Sequence, residues 1–264
     1  METDCFFRMG STHAVCQDYA AAGASSYGGV RAAVSDGCST AADSDWGARF
    51  LVQAAMTERW LDRFTVMSAA QRMQRAAALP RRSLQATLLV ASVAGYGGEL
   101  TTYRAGDGVI VTRTRAGHVT YEQVEFDANM PAYLAYSTDA NDVEQYKRLC
   151  RWRTTTIGER DSSGGWVRRR IGGESPDVSG RTEVFERSSD FDLVLLLSDG
   201  VESFQDPSGD VVSLETVLDE LLAFKSFKGQ FIGRRCGAFL ARTCAERGWK
   251  HADDFSVAGI YLGP

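Results

Sequence analysis

The sequence predicts an α+β fold in which antiparallel strands dominate and helices flank them. Short apolar runs follow one another with only glycine-rich turns between, whereas parallel strands would need crossovers of a dozen residues or more. Segments of helical period stand before and after those runs. No internal repeat or low-complexity linker interrupts the 264 residues. A single domain over 1–264 is therefore expected, since layered units of roughly 200–250 residues are common.

Taken in order, Val30 to Val34 is a short apolar strand that stops at Ser35-Asp36-Gly37. Trp46, Phe50, Leu51, Ala54, Ala55, Leu61 and Phe64 then recur at helical spacing and predict one long amphipathic helix. Leu88 to Val93, Leu100 to Ala105 and Val109 to Arg113 read as strands, punctuated by turns at Gly95-Tyr96-Gly97-Gly98 and Gly106-Asp107-Gly108. His118 to Phe126 adds a fourth. The stretch from about 127 to 180 is polar, rich in arginine and glycine, and without period, so it is expected to form an irregular surface excursion or flap. Phe191 to Leu197 is the clearest buried strand and ends at Ser198-Asp199-Gly200. Two helices follow, one carrying Val217, Leu218, Leu221 and Leu222, the other Ile232, Cys236, Phe239 and Leu240. Phe255 to Leu262 closes the chain as a strand, preceded by Asp253-Asp254.

Composition narrows the function classes. The chain is 44% hydrophobic and 24% charged, as soluble globular proteins are. Its net charge of −5 argues against nucleic-acid or anionic-membrane partners, which favour a basic face. No apolar run approaches the roughly 20 residues of a membrane span. The acidic start, Met1-Glu2-Thr3-Asp4, lacks the layout of a signal peptide. Six cysteines without a Cys-x-x-Cys pair read as reduced thiols, and the expected location is cytoplasmic.

Three acidic sites share one layout. Asp36 and Asp199 each follow an apolar strand, and Asp253 comes just before one. An aspartate at a strand end sits on the rim of a sheet, where solvent and a hard divalent cation can reach it. Taken singly, each is more simply a turn residue or a loop cap. The ordered set is what points to metal chemistry.

That order, Cys16-Gln17-Asp18, Ser35-Asp36-Gly37, Gly106-Asp107-Gly108, Ser198-Asp199-Gly200 and Asp253-Asp254-Phe255-Ser256-Val257, resembles the metal-dependent type 2C protein phosphatases. The resemblance runs from His13 to Val257. It implies two stacked antiparallel sheets flanked by helices, with the site at one end of the sandwich. It implies two Mg²⁺ or Mn²⁺ ions, or three. Asp36 would bridge two ions with the Gly37 carbonyl as a further ligand. Asp199 and Asp253 would complete one metal, Asp18 would hold the other largely through water, and Asp107 with Asp199 would serve a third. The implied reaction is hydrolysis of phosphoserine or phosphothreonine by a metal-activated water. The implied partners are phosphorylated protein substrates and a cognate serine/threonine kinase or its targets.

The chain departs from the family pattern at three positions. His13 stands where the family usually has an arginine that grips phosphate. Its readings are a phosphate or metal-water contact, or a capping histidine on the surface. Cys16 replaces a common asparagine, and Cys38 a glycine; both are more simply packing residues than redox switches. A domain without activity that binds a partner is the alternative these departures keep open.

Other motifs carry less. Cys236 to Arg242 matches the Cys-x5-Arg of thiol phosphatases but lies inside an apolar helical pattern. Asp43-Ser44-Asp45 reads as a helix N-cap region rather than an aspartyl-phosphate site. Three histidines, His13, His118 and His251, form no zinc motif. Arg168-Arg169-Arg170 beside Trp166 reads as a solvated surface, with docking of an acidic or phosphorylated substrate as the alternative.

Overall fold

The computed structural model describes residues 1–94, 98–161, 163–185 and 188–263. The turn expected at Gly95-Tyr96-Gly97-Gly98 lies, apart from Gly98, outside them. Among the described residues, one sheet has seven strands. In spatial order they are β1 (Glu2–Arg8), β14 (Phe255–Tyr261), β11 (Phe191–Leu197), β6 (Gly108–Thr114), β7 (Val119–Phe126), β8 (Arg153–Arg160) and β9 (Trp166–Glu174). The second has five: β10 (Arg181–Phe185), β5 (Leu100–Ala105), β4 (Leu88–Val93), β3 (Val30–Ser35) and β2 (Tyr19–Ala24). All these pairings are antiparallel.

The alternation of side chains along each strand builds four layers. On β11, Val194 and Leu196 meet Ala32, Val34, Leu89 and Ala91 between the sheets, while Leu193, Leu195 and Leu197 face outward. There they pack on α4 (Leu214–Leu222) and α5 (Phe231–Ala238). Burial on both faces is why Phe191 to Leu197 reads as an unbroken apolar run. On the other side, Ala33, Leu88 and Val90 pack on α1 (Ser44–Thr57) and α2 (Arg63–Ala76). The two-sheet, helix-flanked fold expected above is the one observed.

Three expectations need correction. The long helix through Phe64 is two helices. Glu58 leaves α1 in an extended conformation, and the buried guanidinium of Arg31 donates to the carbonyls of Ala55 (2.7 Å), Glu58 and Arg59 (2.9 Å) just there. Asp62 then caps α2 by accepting from the backbone N–H groups of Phe64 and Thr65. Phe64 points to solvent, so the helical period that seemed to include it breaks at the junction. Nor is the strand meander one sheet. Gly106 and Gly108 adopt φ of 92° and 109°, and this left-handed pair carries the chain from β5 in one sheet to β6 in the other. Finally, 127–180 is largely regular. It holds a helix α3 (Ala140–Leu149) and the β8–β9 hairpin that widens the larger sheet. Its weak period reflects exposure of most of β9.

Asp43 occupies the N-cap position of α1, at φ 59° and without a side-chain cap bond. Cys236 is buried within α5, where burial pushes its thiol pKa up, the reverse of a thiolate nucleophile. All six cysteines are free. No helix among the described residues is long and apolar enough to cross a membrane.

The Arg31 contact generates a test of the fold. Arg31→Met would leave the carbonyls at the end of α1 without their donors, and a cation stabilises that end of a helix. The expected loss of unfolding free energy is about 2–3 kcal/mol, read from urea titration. An unchanged midpoint would show that water replaces the guanidinium at no cost.

Candidate active site

The acidic residues come from different strands but from one end of the sandwich. Asp36 and Gly37 follow β3, Asp199 follows β11, Asp107 joins β5 to β6, and Asp18 and Asp253 precede β2 and β14. Because neighbouring strands run antiparallel, the ends of β3 and β11 and the starts of β2, β6 and β14 meet at the same edge. His13, Asp36, Gly37, Asp107, Asp199 and Asp253 line one cleft there. Asp18 lies beneath them, buried and close to Asp36.

Backbone contacts hold each carboxylate in place. Asp36 accepts at its carbonyl from Thr87 N (2.8 Å), and its own N–H donates to Thr87 Oγ1 (3.0 Å). Gly37 N donates to Gln17 O (3.2 Å), which joins the first two motifs. Ser198 ties the sheets together: its hydroxyl donates to Asp18 Oδ2 (2.6 Å) and accepts from Ser256 N (3.0 Å). Gly200 sits against the chain at Asp254, where an added Cβ would lie 1.6 Å from the Asp254 carbonyl oxygen. The glycine after Asp199 is therefore required by close backbone approach.

Asp254 lies within the last acidic motif, yet the sequence alone assigns it no role. It is buried, and its carboxylate accepts from Gly10 N (2.7 Å) and Gln17 N (2.5 Å). His13 rests between the doublet, with Nδ1 2.9 Å from Asp254 Oδ2 and Nε2 3.3 Å from Asp253 Oδ1. The Nδ1 contact is ionic without hydrogen-bond alignment. Burial opposes the charged imidazole, but Asp254, then Asp253 and Asp18, outweigh it and raise the His13 pKa. The Asp-Asp doublet was the available signal. Tyr133 and Asn129, which also line the cleft, fall in the stretch read as irregular and carried none.

The cleft concentrates negative charge. Burial, then Asp199, Asp18 and Asp107, hold the Asp36 carboxyl well above the usual range. Burial and Asp199 do the same to Asp107. Asp199 is pushed up to about 6 by burial and Asp253, and Asp18 to about 7 by burial against the opposing Ser198 and Ser256 hydroxyls. Glu202, one turn past Asp199, rises to about 8 through burial and Asp199. Such a cluster is what a cation would relieve.

Among the described residues, no group of three or more His, Cys, Asp or Glu side chains is arranged to hold a metal ion. The donors nevertheless suit one. They are all hard oxygens, and Asp18 Oδ1 is buried with no hydrogen-bond partner. Mg²⁺ is ordinarily held by one or two carboxylates with water completing the shell, so a closed cage of side chains is not required. Asp36, the Gly37 carbonyl, Asp199 and Asp253 are the groups that could hold ions at the cleft, with Asp18 behind Asp36 and Asp107 beside Asp199.

No curated protein sequence matches the chain. Solved structures with the same fold include a bacterial serine phosphatase at 13% identity and TM-score 0.56, with 100% of this chain and 98% of that one covered. Another is the serine/threonine phosphatase Stp1 from Staphylococcus aureus, at 14% identity and TM-score 0.56, covering 100% and 96%. The serine/threonine phosphatase PstP/Ppp of Mycobacterium tuberculosis is 16% identical, with TM-score 0.52 and coverage of 98% and 97%. The sequence profile of the protein phosphatase 2C family matches residues 10–228, which contain Asp18, Asp36, Asp107 and Asp199 in the order described. The chain belongs to the protein phosphatase 2C family.

Proposed function

We propose that this protein is a metal-dependent phosphomonoester hydrolase that acts on phosphoserine and phosphothreonine in proteins. The observation that carries the reading is the meeting of Asp36, Asp107, Asp199 and Asp253 with Gly37 and His13 in one cleft of a phosphatase-family chain. When bound, Mg²⁺ or Mn²⁺ would supply Lewis acidity and lower the pKa of a water that attacks phosphorus.

The chain's own residues divide the remaining work. Asp36, which both Asp18 and Asp199 act on, is the carboxylate that would serve two ions. Asp199 and Asp253 would complete one site, and Asp107, whose pKa Asp199 raises, would serve a third ion. Mutual repulsion among these groups favours divalent cations over an empty cleft. His13 lies at the rim with Asp253, where an imidazolium can donate to a phosphate oxygen. The doublet beneath fixes its ring. In hydrolysis the bond between phosphorus and the serine or threonine oxygen breaks, water's oxygen bonds to phosphorus, and the released alkoxide oxygen takes the proton that water gives up. Six free cysteines suit a reducing, cytoplasmic setting.

The second reading is a partner-binding domain without turnover. His13 in place of the family's arginine favours it. A chromogenic phosphomonoester titrated with Mn²⁺ separates the two. Turnover that rises with Mn²⁺ supports the enzyme, and no turnover by folded protein supports the binding domain.

Asp36→Asn is expected to lower Mn²⁺-dependent kcat/KM by at least about 100-fold, because even outer-shell changes at metal sites cost 10–100-fold. Near-normal activity in that variant would remove Asp36 from the metal centre. His13→Ala is expected to raise KM by about tenfold with a smaller change in kcat, as loss of a charge-assisted phosphate contact should. Should both constants stay put, His13 is a surface cap.

The raised carboxyl pKa values also have a sign. A folded state that holds protons the unfolded chain releases is favoured at low pH, and loses that advantage as pH rises through the raised values. Metal-free protein should therefore lose stability at the cleft between about pH 4 and the values of about 6 and 7 for Asp199 and Asp18. The Tm gain on adding Mn²⁺ should accordingly widen from pH 5 to pH 7. A gain that is flat with pH in differential scanning fluorimetry would show that the carboxylates do not take up the ion.

A further inference from the structure

The catalytic cleft does not end at Tyr133. Met130 and Tyr136 line both that cleft and a neighbouring groove of about 350 Å³. An aromatic wall runs between the two. The Tyr133 and Tyr136 rings are 5.5 Å apart, and Tyr136 stacks on Tyr146 at 5.0 Å. The wall is held in place, since the Tyr146 hydroxyl donates to Met130 O at 3.0 Å. Ala128 and Asn129 adopt φ of 54° and 51°, a left-handed pair that non-glycine residues seldom accept, and they turn the chain into Met130 at the shared rim. Leu149, half exposed, extends the apolar surface at the far end.

Two arginines form the opposite lip, and they differ. Arg81 is already engaged: it donates to Asp139 (3.1 Å), Thr138 (3.0 Å) and Asp142 (2.8 Å), which ties the lip to the start of α3. Arg82 is exposed and, among the described residues, its guanidinium makes no hydrogen bond or ion pair, only its carbonyl accepting from Gln85 N. Asp142 is the acidic side chain in the groove, and Arg81 occupies it. The groove thus offers an apolar wall and one uncommitted guanidinium beside the place where a phosphate would react.

We propose that this groove is a substrate subsite: it takes the segment flanking the phosphorylated residue, an apolar side chain against Tyr136, Tyr146 and Leu149, and an anionic group on Arg82. The inference rests on the phosphatase reading above. Its occupant is a phosphopeptide, because the groove is continuous with the cleft and its free charge is positive. The anion on Arg82 is a carboxylate or a second phosphate, both of which a guanidinium binds in the same forked geometry.

The test compares kcat/KM, at saturating Mn²⁺, for a small chromogenic phosphomonoester and a phosphopeptide series. The peptides carry an apolar residue and, on either side of the phosphoserine, glutamate, a second phosphoserine, alanine or lysine. Wild-type protein is expected to favour the anionic peptides over the lysine peptides by about tenfold. Arg82→Ala should abolish that preference, Arg82→Lys should keep part of it, and Arg82→Glu should invert it toward lysine. Whether glutamate or phosphoserine ranks first assigns the anion. Equal rates across the series in wild type, or a preference that Arg82→Glu leaves unchanged, would overturn the subsite. Loss of turnover by the same factor for every substrate in the Arg82 variants would overturn it too, as a structural effect. If the small ester is not turned over at all, the phosphatase reading fails separately. Peptide binding by fluorescence anisotropy then supports the groove if Arg82→Glu reverses the charge preference and overturns it if it does not.

Discussion

Carboxylates crowded into one cleft repel each other, and most of the architecture can be understood as holding them there regardless. Asp18, Asp107 and Asp199 each raise the pKa of Asp36, and Asp253 raises that of Asp199. A flexible loop would relax such crowding by moving apart. Strand ends cannot, because β3, β6, β11 and β14 are fixed by pairing to neighbours and by side chains buried on both faces. The helices on either side keep those faces dry. A sandwich covered on both sides is therefore a scaffold that can keep buried negative charge in place until a cation neutralises it.

A second carboxylate does structural work of the opposite kind. Asp254 is fully buried, yet two backbone N–H groups and a histidine face it. Its partners Gly10 and Gln17 lie more than two hundred residues away in sequence, so one side chain fastens the first loop to the last strand. That loop carries His13 and ends at Asp18. Further bonds from Ser11 and Thr12 to the carbonyls of His251 and Ala252 keep it flat against the strand start. The adjacent aspartates thus have separate tasks: Asp253 faces the cleft, and Asp254 faces the backbone.

Much of this was legible in the sequence, for identifiable reasons. Strands buried on both faces have no polar alternation to blur them, so Phe191 to Leu197 and Leu88 to Val93 could be read almost to the residue. The carboxylates were legible because each ends or begins such a strand. β1 and β2 were not, since Glu2–Arg8 is only partly buried and Tyr19–Ala24 is mostly alanine, which favours no strand. The break between α1 and α2 depends on Arg31, a residue from a distant strand, and no local period could show it. The role of Asp254 was hidden for the same reason: its partners lie at the other end of the chain. Which sheet each strand of the meander joins was also not local information. It turns on two glycine conformations around Asp107.

The same contrast separates the acidic cleft from the groups proposed to meet substrate. The acidic residues sit where register fixes them, so a substitution there cannot be absorbed by movement. The groups proposed to meet substrate sit on other ground: His13 on a loop, Arg82 on a short helical turn before β4, and Tyr133, Tyr136 and Tyr146 on the segment between β7 and β8. That segment packs partly through a small cluster of Val124, Phe126, Ala132, Tyr146, Cys150 and Val178, while Tyr133, Leu134 and Ala135 join the buried layer of α1, α2, β3 and β4. Tyr146 is therefore less tied than Tyr133 to the strands that hold the carboxylates. On the proposed reading, reaction chemistry sits on strand ends and substrate choice on a loop and short helical turns, joined where Met130 and Tyr136 border both spaces.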